Sequence, residues 1–144
     1  MRKSYWLAVL AYLLPTFPLG YFWHLVIFAD RYHQLEMYRE DVIIPLGLAS
    51  MVIQALFFAW AFPRLFPSTR MTWQRGALAF GCIFGVMAWS FAVLPVAAKY
   101  RMSSVPDFIA LETCFTAIQF AVVAPLLALA CRLGEPKSAA STSA

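Results

Sequence analysis

Four long apolar runs divide the chain, and short polar stretches separate them. The runs cover roughly residues 4–29, 42–62, 76–98 and 108–131. A hydrocarbon core of about 30 Å needs about 20 helical residues, so each run is long enough to cross it. A helix also satisfies its own backbone hydrogen bonds in lipid. The pattern predicts an all-α integral membrane protein, a four-transmembrane-helix bundle that forms a single domain over residues 1–133.

Composition supports a membrane location. The chain is 62% hydrophobic and 12% charged, whereas soluble proteins are typically about 45–50% apolar and about 25% charged. A chain of 144 residues cannot enclose so many apolar side chains, so the surplus must face lipid, and the lipid bilayer is the first predicted partner. Cys82, Cys114 and Cys131 lie inside the apolar runs without CxxC spacing, which favours a role as small packing residues.

Both ends of the domain carry further predictions. The first run follows Arg2 and Lys3 but is longer than the apolar region of a signal peptide, and no small-residue cleavage site follows it, so we expect it to be retained. Pro15 and Pro18 lie in its middle and predict a kinked first helix. Residues 134–144 are small and polar, which predicts a disordered cytoplasmic tail.

The distribution of Lys and Arg predicts the orientation. Seven lie beside the N-terminus, the loop between the second and third runs, and the tail, whereas four lie on the other side. The positive-inside rule therefore places both termini in the cytoplasm. Trp6, Trp60 and Trp73 lie near the cytoplasmic boundary, and Tyr32 and Tyr100 lie near the other boundary at headgroup level, as expected for interfacial belts. Because the basic residues are scattered among short loops, a nucleic-acid partner is not predicted.

Polar side chains inside the runs fall on single helical faces. Because a carboxylate within a span is costly, Glu112 is expected to face the bundle interior. At 1.5 Å per residue, the polar residues gather in the outer half of the membrane, which predicts a polar pocket open to the outside. Its predicted members are His24, Ser50, Gln54, Trp89, Ser90, Glu112, Thr116 and Gln119.

His24 and Glu112 are the central pair of this hypothesis, because both lie about 6–8 Å below the outer boundary. A carboxylate near an imidazole favours the charged form of both groups, so the pair could pass a proton or hold a polar ligand. The alternative is an interhelical hydrogen bond that only positions the first helix against the fourth. Asp30, Arg31 and His33 are interpreted as ordinary interface residues.

No metal or cofactor site is predicted. His24 and His33 are the two histidines of the chain and do not have a recognised ligand spacing. A haem or quinone would need more histidines in the spans. The sequence also lacks a nucleophile elbow, a phosphate loop and an HExxH motif, so an enzyme is the last-ranked function.

Two further patterns concern helix packing. The third run contains "GCIFG", in which Gly81 and Gly85 form a small-residue strip that lets helices approach closely. We interpret the strip as packing within the bundle, with a homodimer seam through the third helix as the alternative. Residues 42–54 can also be aligned with residues 107–119, where Gln54 matches Gln119. Such a parallel repeat would be typical of transporters.

The segment "GYFWHLVIFAD", residues 20–30, resembles the first-helix signature of uncharacterised bacterial DUF1761-type membrane proteins. Gly20, Trp23 and Phe28 carry the resemblance, and the small-residue strip with Trp89 is also similar. His24 stands where that family usually has Tyr, so no role of His24 comes from the resemblance. The resemblance implies a small four-helix protein of the bacterial inner membrane and brings no activity with it.

Three functions remain open from the sequence. The first is a binding or accessory membrane protein with a pocket in the outer half of the bundle for an unknown small-molecule ligand. The second is a small proton-coupled transporter acting as an oligomer, in which Glu112 cycles its proton. The third is an integral membrane enzyme.

Overall fold

A computed structural model describes residues 2–39 and 41–133. Four of its segments are long and apolar enough to cross a membrane, so the predicted all-α, four-helix fold is confirmed. The predicted tail lies outside the described residues. In chain order the helices are α1 (Arg2–Phe22), α2 (Ala29–Gln34), α3 (Ile44–Leu65), α4 (Trp73–Lys99) and α5 (Val105–Leu133).

The first helix is irregular, although its non-α segment lies beyond the two prolines. α1 continues through Pro15 and Pro18, and residues Trp23–Ile27 then form a π-helix. The candidate span Lys3–Ile27 includes this segment, and Phe28 separates it from α2. Short π-helical segments inside α-helices occur frequently at functional sites. His24 lies within this one.

The last helix is the centre of the bundle. α5 packs against α1, α3 and α4, while α1 packs on one side against α3 and on the other against α5. Phenylalanine rings join α3 to α4 and α4 to α5. The ring centroids of Phe58 and Phe80 lie 5.0 Å apart in an edge contact, and those of Phe80 and Phe120 lie 6.0 Å apart. The order α3–α1–α5–α4 therefore decides which polar side chains can meet.

One end of the bundle is covered by the short helix α2, and we call it the α2 end. Tyr32 and Leu35 are buried there against Val93 and Phe108. A residue of the α4–α5 loop holds the end of α2 in place. The Ser103 hydroxyl donates a hydrogen bond to the carbonyl of Gln34 at 2.6 Å. The chain after α2 thus folds back over the helix ends.

Contacts of the small-residue strip lie inside the bundle. A Cβ atom added at Gly85 would lie 3.4 Å from the ring of Phe120, and one at Gly81 would lie 3.4 Å from Cβ of Ala124. The strip therefore allows α4 to approach α5 closely. The homodimer seam stays a prediction.

Candidate functional site

The imidazole of His24 and the carboxyl group of Glu112 meet near the α2 end. Nε2 of His24 lies 3.2 Å from Oε1 of Glu112, and the two side chains are 20% and 16% exposed. The Tyr32 hydroxyl donates to the same carboxyl oxygen at 2.7 Å. Three elements, the π-helical segment, α2 and α5, thus converge on one oxygen atom. We call His24, Tyr32 and Glu112 the polar triad.

The geometry of His24 determines how many protons the pair holds. Nδ1 lies 2.9 Å from the carbonyl oxygen of Gly20, and because a carbonyl oxygen can only accept, Nδ1 carries a proton. The contact between Nε2 and the Glu112 oxygen then needs one further proton, since otherwise two lone pairs would face each other. One proton is therefore shared between Nε2 and Oε1, in addition to the proton on Nδ1, as imidazolium with carboxylate or as imidazole with carboxylic acid.

Aromatic rings enclose the triad. His24 contacts Phe115 edge-on, with ring centroids 4.5 Å apart, and Tyr32 stacks on Tyr38 at 4.8 Å. The second carboxyl oxygen of Glu112, Oε2, has no hydrogen-bond partner among the residues that the structure describes. This oxygen remains available to a ligand or to water.

Tyr32 is the member that sequence reasoning missed. The sequence placed it at headgroup level, because it follows the end of the first apolar run and lies between charged residues. In the structure it is fully buried. The sequence signal for this burial was indirect. Tyr32 and Leu35, the C-cap of α2, are three positions apart, which places both on one side of a helical turn. Its neighbours Asp30, Arg31 and His33 are exposed.

Burial raises the pKa of the Tyr32 phenol above its usual range, and the charge of Glu112 raises it further. The pKa of Tyr38 is raised for the same two reasons, mainly by burial and secondly by the charge of Glu112. An unfolded tyrosine ionises near pH 10, whereas these two stay protonated in the fold. The unfolded chain therefore binds fewer protons above that pH, and stability falls as pH rises.

We expect the free energy of unfolding of the wild-type protein to decrease from about pH 10 upwards, and to decrease less steeply in Tyr32→Phe. Denaturation in detergent micelles at a series of pH values measures both slopes. Parallel curves for the two proteins would show that Tyr32 ionises equally in the folded and unfolded states.

A second polar group lies deeper in the bundle, around a tyrosine that was not predicted. The Tyr12 hydroxyl donates to Oε1 of Gln54 and accepts from Gln119 at 3.4 Å. Gln54 in turn donates to Ser50 at 3.1 Å. Tyr12 thus joins three of the predicted residues, Ser50, Gln54 and Gln119, into a group separate from the triad.

The remaining three predicted pocket residues lie elsewhere, which corrects the expectation of one common pocket. The indole of Trp89 donates to Thr113 at 2.8 Å. Trp89 and Thr116 line a groove between α4 and α5, and the Ser90 hydroxyl donates to a carbonyl of its own helix, that of Met87. The physical reason is the helix order, because α4 packs mainly on α5, which lies between it and α1.

His24 also forms part of a cavity wall. A cavity of about 300 Å³ lies between α1 and α3, and we call it the α1–α3 cavity. Its described walls are mostly apolar and include Phe17, Met51 and Phe115, together with the charged side chain of Arg39. At Gly20, an added Cβ would lie 3.0 Å from the end of Met51, so the glycine permits close approach at this wall.

No group of three metal-ligating side chains converges anywhere in residues 2–39 and 41–133. Comparisons with protein-family models, with curated proteins and with solved structures gave no match. The resemblance to DUF1761-type proteins therefore stays a prediction, and the function has to be argued from the geometry alone.

Proposed function

We propose that this chain is a small membrane-embedded binding protein whose ligand occupies the α1–α3 cavity. The observation that carries the proposal is the position of His24, which lines the cavity and at the same time shares a proton with Glu112. The cavity volume of about 300 Å³ lies at the lower end of the range, roughly 300–1,000 Å³, that is typical of small-molecule sites. The triad fixes one wall of that cavity.

A proton-coupled transporter acting as an oligomer is the second candidate. The single proton shared by His24 and Glu112 favours it. However, the polar contacts described above end at Tyr12, Gln54 and Gln119, and the larger hydrophobic core around and beyond them is built mainly from Ala, Val, Leu and Phe side chains. A binding protein needs no polar path through that core, so it ranks first.

The proposed location is the bacterial cytoplasmic membrane, with both termini in the cytoplasm and the α2 end outside. The excess of Lys and Arg on the side of the termini supports this orientation. The ligand would then enter from the outer leaflet, because the cavity lies near the α2 end.

Co-purification tests the binding function without assuming a ligand. Gly47 lines the cavity, and nothing lies within 4 Å of a Cβ added there, so Gly47→Leu should fill the cavity without disturbing the fold. We expect a small molecule to co-purify with the wild-type protein in a ratio of about one to one by mass spectrometry, and to be lost from Gly47→Leu.

The matched control is Ala117→Leu, which adds the same side chain to the α4–α5 groove. That variant should retain the molecule. Identical sets of bound molecules in the wild type and in Gly47→Leu would contradict the proposed site.

A further inference from the structure

The first two turns of α3 stand away from the bundle. Every residue from 41 to 50 is exposed, although Ile43, Ile44, Leu46 and Leu48 are large and apolar. Packing returns only near Met51, which approaches Gly20 of α1. Between these helices lies the α1–α3 cavity, so its apolar walls have no protein occupant among the described residues.

The depth of the cavity suits a hydrocarbon chain. From Ile44 to Met51 the helix rises about 10 Å, roughly a third of a hydrocarbon core of about 30 Å. Because the exposed apolar side of α3 faces lipid, a molecule in one leaflet can enter from the side. An acyl chain matches these walls in polarity, and they would enclose roughly two thirds of its extent through one leaflet.

A cation lies among the residues that line this cavity. Arg39 is one of them, and its side chain is 67% exposed. It donates from Nε and from one terminal nitrogen to Asp41, at 3.2 Å in both cases. A guanidinium group has five N–H donors, so three remain available to an oxyanion. Among the described residues, none that lines the larger α4–α5 groove is charged, so the groove offers no comparable anchor.

We propose that the α1–α3 cavity holds one acyl chain of an anionic phospholipid, whose phosphate contacts Arg39. This inference rests on the proposed binding function and names its ligand class. Charge-assisted hydrogen bonds to phosphate fix the head group, and the apolar walls beside Phe17 and Met51 receive the chain. His24 and the rest of the triad stabilise the wall against which the chain lies.

Native mass spectrometry of the purified full chain in detergent, titrated with phosphatidylglycerol, tests the proposal. Arg39→Gln should weaken retention of the first lipid about tenfold, the equivalent of about 1.4 kcal/mol, because it removes the charge-assisted contact. Gly47→Leu should weaken retention at least as much, because it fills the cavity. Inorganic phosphate added in excess should not displace the lipid.

Arg101→Gln is the matched control, because it removes the same charge from an exposed position near the α2 end that does not line the cavity. It should bind phosphatidylglycerol like the wild type. Equal losses in Arg39→Gln and Arg101→Gln would overturn the proposal in favour of surface electrostatics. Wild-type binding by Gly47→Leu would also overturn it, because the chain would then lie outside the cavity.

The two proposals can fail separately. If a molecule other than a phospholipid co-purifies and is lost from Gly47→Leu, the cavity binds a ligand and the lipid inference alone is wrong. If no molecule distinguishes the wild type from Gly47→Leu, the binding function fails as well.

Discussion

Replacing Glu112 with leucine is expected to lower the free energy of unfolding by roughly 1–3 kcal/mol. The change removes the acceptor of the Tyr32 hydroxyl and the partner of His24 Nε2. Interhelical hydrogen bonds in membranes average only about 0.6 kcal/mol. We expect Glu112→Leu to cost more than this average because two polar groups lose their partner at once, and because one of them, Tyr32, is fully buried.

Unfolding of the purified protein in mixed micelles measures this loss. Asp107→Leu is the control on the same helix, because Asp107 is an exposed carboxylate in the first turn of α5 and contributes less than about 1 kcal/mol. Equal losses in the two variants would contradict a structural role of the triad.

A double variant measures the interaction between His24 and Glu112 separately from the other contacts of each side chain. Removing both polar partners together is less costly than leaving one without the other. His24→Leu combined with Glu112→Leu should therefore cost less than the sum of the two single changes. Strict additivity would show that the two side chains do not interact in the folded protein.

Gly85→Ile should destabilise the bundle by about 1–3 kcal/mol through overpacking. An added Cβ would already touch the Phe120 ring at 3.4 Å, so the branched side chain would force α4 away from α5. Gly47→Ile is the control in open space. Unfolding curves give the stability, and the oligomeric state of each variant in detergent is measured in parallel.

The same experiment decides between two interpretations of the glycine strip. Packing within the bundle predicts a loss of stability in Gly85→Ile without a change of oligomeric state. A homodimer seam predicts the opposite, namely dissociation of a dimer with little loss of monomer stability. The contacts of Gly81 and Gly85 with α5 favour the first result.

The sequence predicted the number and approximate extent of the helices because apolar length alone determines them. It also placed His24 and Glu112 at similar depth, but it left open whether the two side chains meet, and the structure shows that they do. Rotation of each helix about its axis could not be predicted in the same way. Trp89, for example, was expected to share a pocket with His24 on α1's extension. Because α5 lies between α4 and α1, its indole instead donates to Thr113 of α5.

The role of α2 was hidden for a different reason. Hydropathy marks where a chain leaves the membrane, but it does not indicate that the chain folds back over the bundle. Tyr32 is buried by contacts with α4 and α5, and Ser103 holds the segment in place. These contacts depend on tertiary structure, and the local sequence indicates them only through the three-residue spacing of Tyr32 and Leu35.

The central position of α5 has a consequence for biosynthesis. Residues are added at the ribosome from the N-terminus, so α1, α3 and α4 are complete before the helix that joins them exists. Until Glu112 emerges, His24 and Tyr32 lack the acceptor that they share in the finished protein. The bundle therefore stays incomplete until α5 has been synthesised.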